Sequence, residues 1–228
     1  MIFMTEKTEI AERLQTIIAE LPKHVCLVAV SKTHPVEAVN DAIAAGQLDF
    51  GENRVQELVS KAEQLPEHIH WHQIGTLQKN KVKYIAPFVY LIHSVDSPEL
   101  LDVIQKEAVK TNRVIDCLIQ VHIATEETKF GFSIEEAKAF LMTVNQNTHS
   151  NVRIRGLMGM ASFTTDAETI RAEFKGLKLL YNQLKDALTG PSFLFDILSM
   201  GMSSDYKIAI EEGSNMIRVG SAIFGSRH

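Results

Sequence analysis

Residues 24–33 read HVCLVAVSKT. Val25–Ser31 is an almost unbroken apolar run of strand-forming residues. Runs of that kind belong to parallel strands covered by helices on their outer face. The run stops at Ser31-Lys32-Thr33, and Pro35 then suits a first helical position. Val36, Val39 and Ile43 give that helix its inner stripe, and Gly46 ends it. A second apolar run, Leu48–Gly51, follows at once. One strand, one helix and one strand in some 27 residues is a βαβ unit, and the rest of the chain repeats it.

Working outward, the further strand candidates are His70–Gly75, Tyr90–Ser94, Ile115–Ile123, Ile154–Met160, Phe195–Met200 and Met216–Gly220. With the first two they make eight. Asn53 opens a helix with Val55, Leu58, Val59, Ala62 and Leu65 inward, stopped by Pro66. Ser97-Pro98 starts another. Ser133-x-x-Glu136 and Thr165-x-x-Glu168 have capping-box spacing. Gly190-Pro191 closes a long helix that holds Ile170, Phe174, Leu177, Tyr181, Leu184 and Leu188. Eight βα repeats predict an α/β fold, a single-domain (β/α)8 TIM barrel over residues 1–228, with an open doubly wound sheet as the alternative. Ser221–His228 is too short for a full covering helix. The amphipathic segment Glu6–Leu21, with Ile10, Leu14, Ile17, Ile18 and Leu21 on one stripe, is expected to cover the place of the missing eighth helix.

The chain has 228 residues, 45% of them hydrophobic, which suffices for one sizeable core. Lys and Arg number 23 against 28 Asp and Glu, a net charge of −5, with no long basic block. That argues against nucleic acid and anionic membranes as partners. The opening MIFMTEKTEIAERLQ carries acids early and lacks a signal-peptide core, and no apolar run approaches the ~20 residues of a membrane span. Cys26 and Cys117 both sit in apolar runs and read as packing in a reducing compartment. The expectation is a cytoplasmic protein, and a monomer, since no large apolar face is left over once the helices are assigned.

Chemistry in a barrel gathers at the C-terminal ends of the strands. Lys32 stands there. An amine partly desolvated at such a place has a depressed pKa and is available for imine formation; a solvated loop lysine is the plain alternative. The last strands read FDILSMGMSSD and MIRVGSAIFG. Ser199, Gly201, Ser203 and Ser204 form a small-residue loop before a helix around Asp205–Glu212, and Gly220-Ser221 follow the eighth strand. Two such loops suit a phosphate: glycine admits close backbone approach and serine adds hydroxyl donors. Arg218, two residues before Gly220, needs a buried acceptor. A rival signal is His68-Ile69-His70-Trp71-His72, where His70 and His72 share one strand face. With His93, His122, Asp96 or Asp49 they would make a metal-dependent barrel hydrolase. Met158 and Met160 read as core fillers.

AVSKTHP at 29–35, FGENRVQE at 50–57, WHQIGTLQKNK at 71–81, IHSVDS at 92–97, EETKFGF at 126–132, RGLMGMA at 155–161, SMGMSSDY at 199–206 and IRVGSAIFG at 217–225 run in order through the chain. Together they resemble the pyridoxal phosphate homeostasis protein family, whose members look like the barrel domain of bacterial alanine racemase standing alone. The resemblance implies pyridoxal 5′-phosphate (PLP) as cofactor, with Lys32 forming the Schiff base. It places Ser199, Gly220 and Ser221 on the phosphate, with backbone help from Met202. It turns Arg218 toward the pyridine nitrogen, and lines the ring site with Asn53, Met158 and His72. Gln73 and His122 depart from the family pattern beside the ring.

The implied role is intracellular PLP homeostasis, as carrier, buffer or regulator rather than enzyme, with PLP-requiring apo-enzymes as recipients. Racemisation needs acid/base groups on both faces of the imine, and alanine racemase draws one of them from a second domain, which is not read here. An arginine at the ring nitrogen also weakens the ring as an electron sink. A PLP-dependent amino-acid enzyme such as a racemase is the alternative.

Overall fold

The computed structural model describes residues 8–125, 130–145 and 147–225. Its strands are β1 (Cys26–Val30), β2 (Asp49–Glu52), β3 (His70–Gln73), β4 (Leu91–Val95), β5 (Ile115–Gln120), β6 (Val152–Met158), β7 (Phe193–Ser199) and β8 (Met216–Val219). Each pairs in parallel with its neighbour in sequence, and β8 pairs with β1, so the sheet is a closed barrel. All eight predicted strands are present, and the open doubly wound alternative is excluded by that closure.

The helices are α1 (Glu9–Glu20), α2 (Val36–Ala44), α3 (Val55–Ala62), α4 (Val82–Ile85, entered through a 3₁₀ turn at Lys79–Lys81), α5 (Pro98–Lys110), α6 (Ile134–Leu141), α7 (Ala167–Ala187), α8 (Tyr206–Glu211) and α9 (Ser221–Phe224). α9 is a single turn, and α1 packs against both α9 and α2, the place predicted for it. Residues 6 and 7 of the expected first helix lie outside the described residues. Leu14 and Val39 from these helices, Leu101 and Ile104 of α5, and Phe174 and Leu177 of α7 are fully buried against the sheet. A smaller cluster, Val28, Leu91, Leu118, Met158, Ile197 and Met216, fills the barrel interior.

Several boundaries differ from the sequence reading for local reasons. The Thr165 cap gives way to Asp166, whose carboxylate accepts from Glu168 N at 3.2 Å and from the Thr169 hydroxyl at 2.5 Å; an ionised acceptor outcompetes a neutral hydroxyl at a helix start. Ser133 and Glu136 do form their capping box. α3 starts at Val55 rather than at Asn53. β6 ends at Met158, so Met160 is not a core filler but lies 39% exposed beyond the strand.

The ladders are uneven. β5–β6 is paired along six registered residues, whereas β7–β8 has one registered pair, Ser199 with Met216. Three backbone bonds (Asn215 to Leu198, Met200 to Met216, Arg218 to Gly201) and several side chains sew that seam. Asn215 accepts from Leu198 N at 2.8 Å and donates to Asp196 O at 2.7 Å, and the Ser214 hydroxyl lies 2.7–3.2 Å from three carbonyls of the two strands. At the N-terminal end of the barrel, Arg155 bridges Asp196 and Asp116, and Arg153 makes a two-bond contact with Asp116. Those fork-to-fork pairs close the end away from the loops that carry the site.

Candidate functional site

A cavity of about 540 Å³ opens at the C-terminal ends of the strands. Lys32, Asn53, Met202, Arg218, Gly220 and Ser221 line it, six of the eight residues singled out from the sequence. They come from β1, β2, β7 and β8 or the loops just beyond them, so elements distant in sequence converge on one space.

Lys32 is fixed by its two neighbours in the chain. The Ser31 carbonyl accepts from Lys61 Nζ at 2.7 Å, and the Thr33 N–H donates to Glu57 Oε1 at 2.6 Å. Lys61 also bonds Glu52 at 2.7 Å and Glu57 at 2.8 Å, and the Ser31 hydroxyl reaches the same Glu52 oxygen at 2.6 Å. Thr33 has φ +68°, a left-handed conformation that costs a non-glycine residue about 1 kcal/mol and needs such support. Burial pushes the Glu52 carboxyl above its ordinary range, against the pull of Lys61 and Ser31. The amine-bearing loop is thus clamped on both sides by one buried lysine and two carboxylates of β2 and α3.

The opposite wall is made of small residues. The Gly220 N–H donates to Ser203 Oγ at 3.2 Å, joining the loop after β8 to the loop after β7. A Cβ on Gly220 would stand 3.1 Å from the Val30 carbonyl oxygen, tighter than most side-chain contacts, so the backbone there would have to give slightly for any other residue. The Met202 N–H donates to the Asp205 carboxylate at 2.5 Å. Burial raises the Asp205 pKa, opposed by that N–H and by Arg218.

Arg218 forms the floor. Its guanidinium donates to Ser199 Oγ at 2.6 Å and to the Gly159 carbonyl at 3.0 Å. Full burial lowers its pKa to about 10, with Asp205 pulling the other way, so it stays cationic at neutral pH. Ser199 and Met158 do not line the cavity. Both are fully buried: Ser199 is held between Arg218 and His93, and Met158 packs in the barrel interior. The resemblance sets both in the site; they face the barrel interior but lie below the layer that the cavity reaches. Ser203 and Ser204 line the cavity instead.

The histidines do not converge on a point. His70 and His72 both meet Asp49, and His72 meets His93, ring nitrogen to ring nitrogen, so their lone pairs are spent in a line. Asp96 faces Ser97, and His122 borders a recess that adjoins the cavity, with Val121 and Ala124. Among the described residues no group of three His, Cys, Asp or Glu is placed to hold a metal ion.

Two supports differ from the sequence reading, which does not single out Lys61 and sets Gln73 beside the ring. Lys61 reads as a solvated helical lysine, and only its i,i+4 spacing to Glu57 signalled a pair. Gln73, on the outer face of β3 and fully buried, donates to the carbonyls of Asn53 at 3.0 Å and Gly75 at 2.9 Å. It orders the loop that brings Asn53 to the cavity.

The alanine racemase N-terminal domain family matches residues 6–228. The chain is 41% identical over 203 residues to the pyridoxal phosphate homeostasis protein of Aquifex aeolicus, covering 88% of this chain and 86% of that one. Against the protein of the same name from Vibrio alginolyticus it is 39% identical over 211 residues, covering 90% and 88%. PipY of Synechococcus elongatus superposes with a TM-score of 0.88 at 38% identity without PLP, covering 95% of this chain and all of that one. Its structure with PLP bound superposes with a TM-score of 0.85 at 37% identity over the same shares. Alanine racemase from E. faecalis, at 19% identity and a TM-score of 0.70, shares the fold over 58% of its length. By sequence along nearly its whole length, and by the barrel it forms, the chain belongs to the pyridoxal phosphate homeostasis protein family.

Proposed function

We propose that this chain holds PLP at the mouth of its barrel and serves the intracellular supply of that cofactor. The observation that carries the reading is the cavity itself: one amine, one cation and two small-residue loops line a single space. When bound, PLP supplies an aldehyde that condenses with amines, a ring with one basic nitrogen, and a phosphate dianion. The residues present fit each part. Lys32 offers the amine and is aimed by its clamped neighbours. Gly220, Ser221 and the backbone of Met202, with the hydroxyls of Ser203 and Ser204, make a neutral donor cradle for the phosphate; the close approach at Gly220 is what such a cradle requires. Arg218 donates to the ring nitrogen and keeps its proton. Asn53 borders the ring. Ser199 and Met158 act one layer down, Ser199 by holding Arg218 and Met158 by packing the floor.

The chain's relatives are named homeostasis proteins, and the residues described suit retention better than turnover. Arg218 leaves the ring a poor electron sink, and among the described lining residues Lys32 and His34 are the side chains able to act as a base. We place the protein in the cytoplasm as a single-domain monomer that passes PLP to apo-enzymes. No helix among the described residues is long and apolar enough to cross a membrane.

The test is the visible spectrum of the purified protein with PLP, then borohydride reduction and peptide mapping. Label on Lys32 supports the reading, and label on Lys81 or another lysine refutes it. Incubation with L- and D-amino acids in deuterated water checks the carrier role. Cα–H exchange at tens of turnovers per second would make the protein an enzyme.

A further inference from the structure

A file of polar side chains crosses the barrel interior beneath the cavity. At the N-terminal end, Asp49 Oδ1 lies 3.1 Å from His70 Nδ1 and 3.0 Å from His72 Nε2. His72 Nδ1 lies 2.9 Å from His93 Nε2, and His93 Nδ1 lies 3.2 Å from Ser199 Oγ, which accepts from Arg218 at 2.6 Å. His72, His93 and Ser199 are fully buried, and His70 at the far end is exposed on 38% of its side chain.

The bonds admit one consistent direction. Arg218 only donates, so Ser199 Oγ accepts from it; with Asp49 ionised and both imidazoles neutral, the Ser199 proton goes to His93 Nδ1. A neutral His93 then carries hydrogen on Nε2 and donates to His72 Nδ1. His72 in turn carries hydrogen on Nε2 and donates to the Asp49 carboxylate, which only accepts. The file runs from a cation to an anion through two neutral imidazoles of the same tautomer. Burial holds His72 below its ordinary value and His93 well below it, so both stay neutral. Burial works against the charge on Asp49, and the imidazoles of His72 and His70 outweigh it.

We propose that Asp49, His72 and His93 are positioning residues for Arg218, coupling the N-terminal face of the barrel to the cavity floor through the hydroxyl of Ser199. The proposal rests on the reading that Arg218 meets the bound cofactor. A proton added to His72 at Nδ1 forces His93 Nε2 to accept, so the His93 hydrogen moves to Nδ1. Ser199 Oγ then accepts from both His93 and Arg218, and its own proton loses its acceptor in a fully buried place, which disturbs the geometry that holds Arg218. The groups facing the file are few. Cys26 of β1, His70 and His72 surround Asp49; Asp49, His70, His93 and the Tyr90 ring surround His72; His72, Ser199 and Arg218 surround His93.

Two measurements test it. In the wild-type protein, ¹⁵N spectra of the imidazoles should show His72 and His93 as Nε2–H tautomers with no titration near pH 6.5. An Nδ1–H tautomer on either, or ordinary titration, overturns the proposal. The second is a cycle of Asp49→Asn, Ser199→Ala and the double variant, read as PLP affinity. Each single change should weaken binding about fivefold or more, and the double should be no weaker than Ser199→Ala alone. Full affinity in Asp49→Asn, or losses that multiply, overturns it. If the wild-type chain takes up no PLP, the cofactor reading fails while the imidazole spectra still decide whether the file exists.

Discussion

The two walls of the cavity are built on opposite plans. The Lys32 wall is braced from outside the barrel by full charges: Lys61, Glu52 and Glu57 hold the peptide groups on either side of the amine. The Gly220 wall carries no such brace. Its lining is N–H groups and hydroxyls, with Gly220 bonded to Ser203, and its one carboxylate, Asp205, holds the Met202 N–H from behind rather than clamping the loop on both sides. A covalent partner must be aimed, and aiming needs rigidity. An anion must be enveloped and later let go, and neutral donors that can exchange partners allow both.

Replacing Lys32 by Ala should separate the walls most sharply. Covalent capture should vanish in borohydride trapping, with the melting temperature unchanged and noncovalent PLP still retained by the other wall. Lys61→Met should follow. It strands two carboxylates, one of them fully buried, and should lower stability to denaturant by about 3–5 kcal/mol. At a temperature where the variant stays folded, covalent capture should slow while inorganic phosphate binds as before, and Lys61→Arg should restore part of the rate. Equal losses on both walls would show that Lys61 supports the fold without aiming Lys32. Gly220→Val tests the other wall: PLP affinity should fall about a hundredfold, the worth of one or two charge-assisted hydrogen bonds at about 1.5–3 kcal/mol each, and pyridoxal binding should hardly change.

The smallest effect concerns acid. His72 and His93 have folded pKa values below the unfolded 6.5, so the unfolded chain binds more protons as pH falls through that value. Stability is complete above pH 6.5 and declines below it. Melting curves between pH 7.5 and 5.5 should show that slope, and His93→Gln should flatten it.

The sequence made the barrel legible because its eight apolar runs and their spacing repeat, and period-two alternation assigns each residue a side of the sheet. It made Lys32, Arg218 and Gly220 legible because strand ends are where a barrel keeps its chemistry. Depth was not legible. Ser199 and Met158 face inward like true lining residues but sit one layer lower, which depends on strand stagger rather than on alternation. Nor were Lys61 and Gln73. Their partners lie 30 and 20 residues back, at Ser31 and Asn53, and only the closed ring brings them together. Asp166 displaced Thr165 as a cap because two acceptors competed for one helix start, a contest that spacing alone does not decide.

The β7–β8 seam has a consequence in time rather than in space. The seam has one registered pair and is crossed by three backbone bonds, from Asn215 to Leu198, Met200 to Met216 and Arg218 to Gly201, and side chains such as Ser214 and Asn215 can let go one bond at a time. The amide protons of β8 should therefore trade with solvent sooner than those of β5 and β6, through local openings that leave the rest of the ring shut. The loops beyond that seam are the ones proposed to cradle the phosphate, so the slowest motion of that proposed cradle is set by how often those stitches come undone.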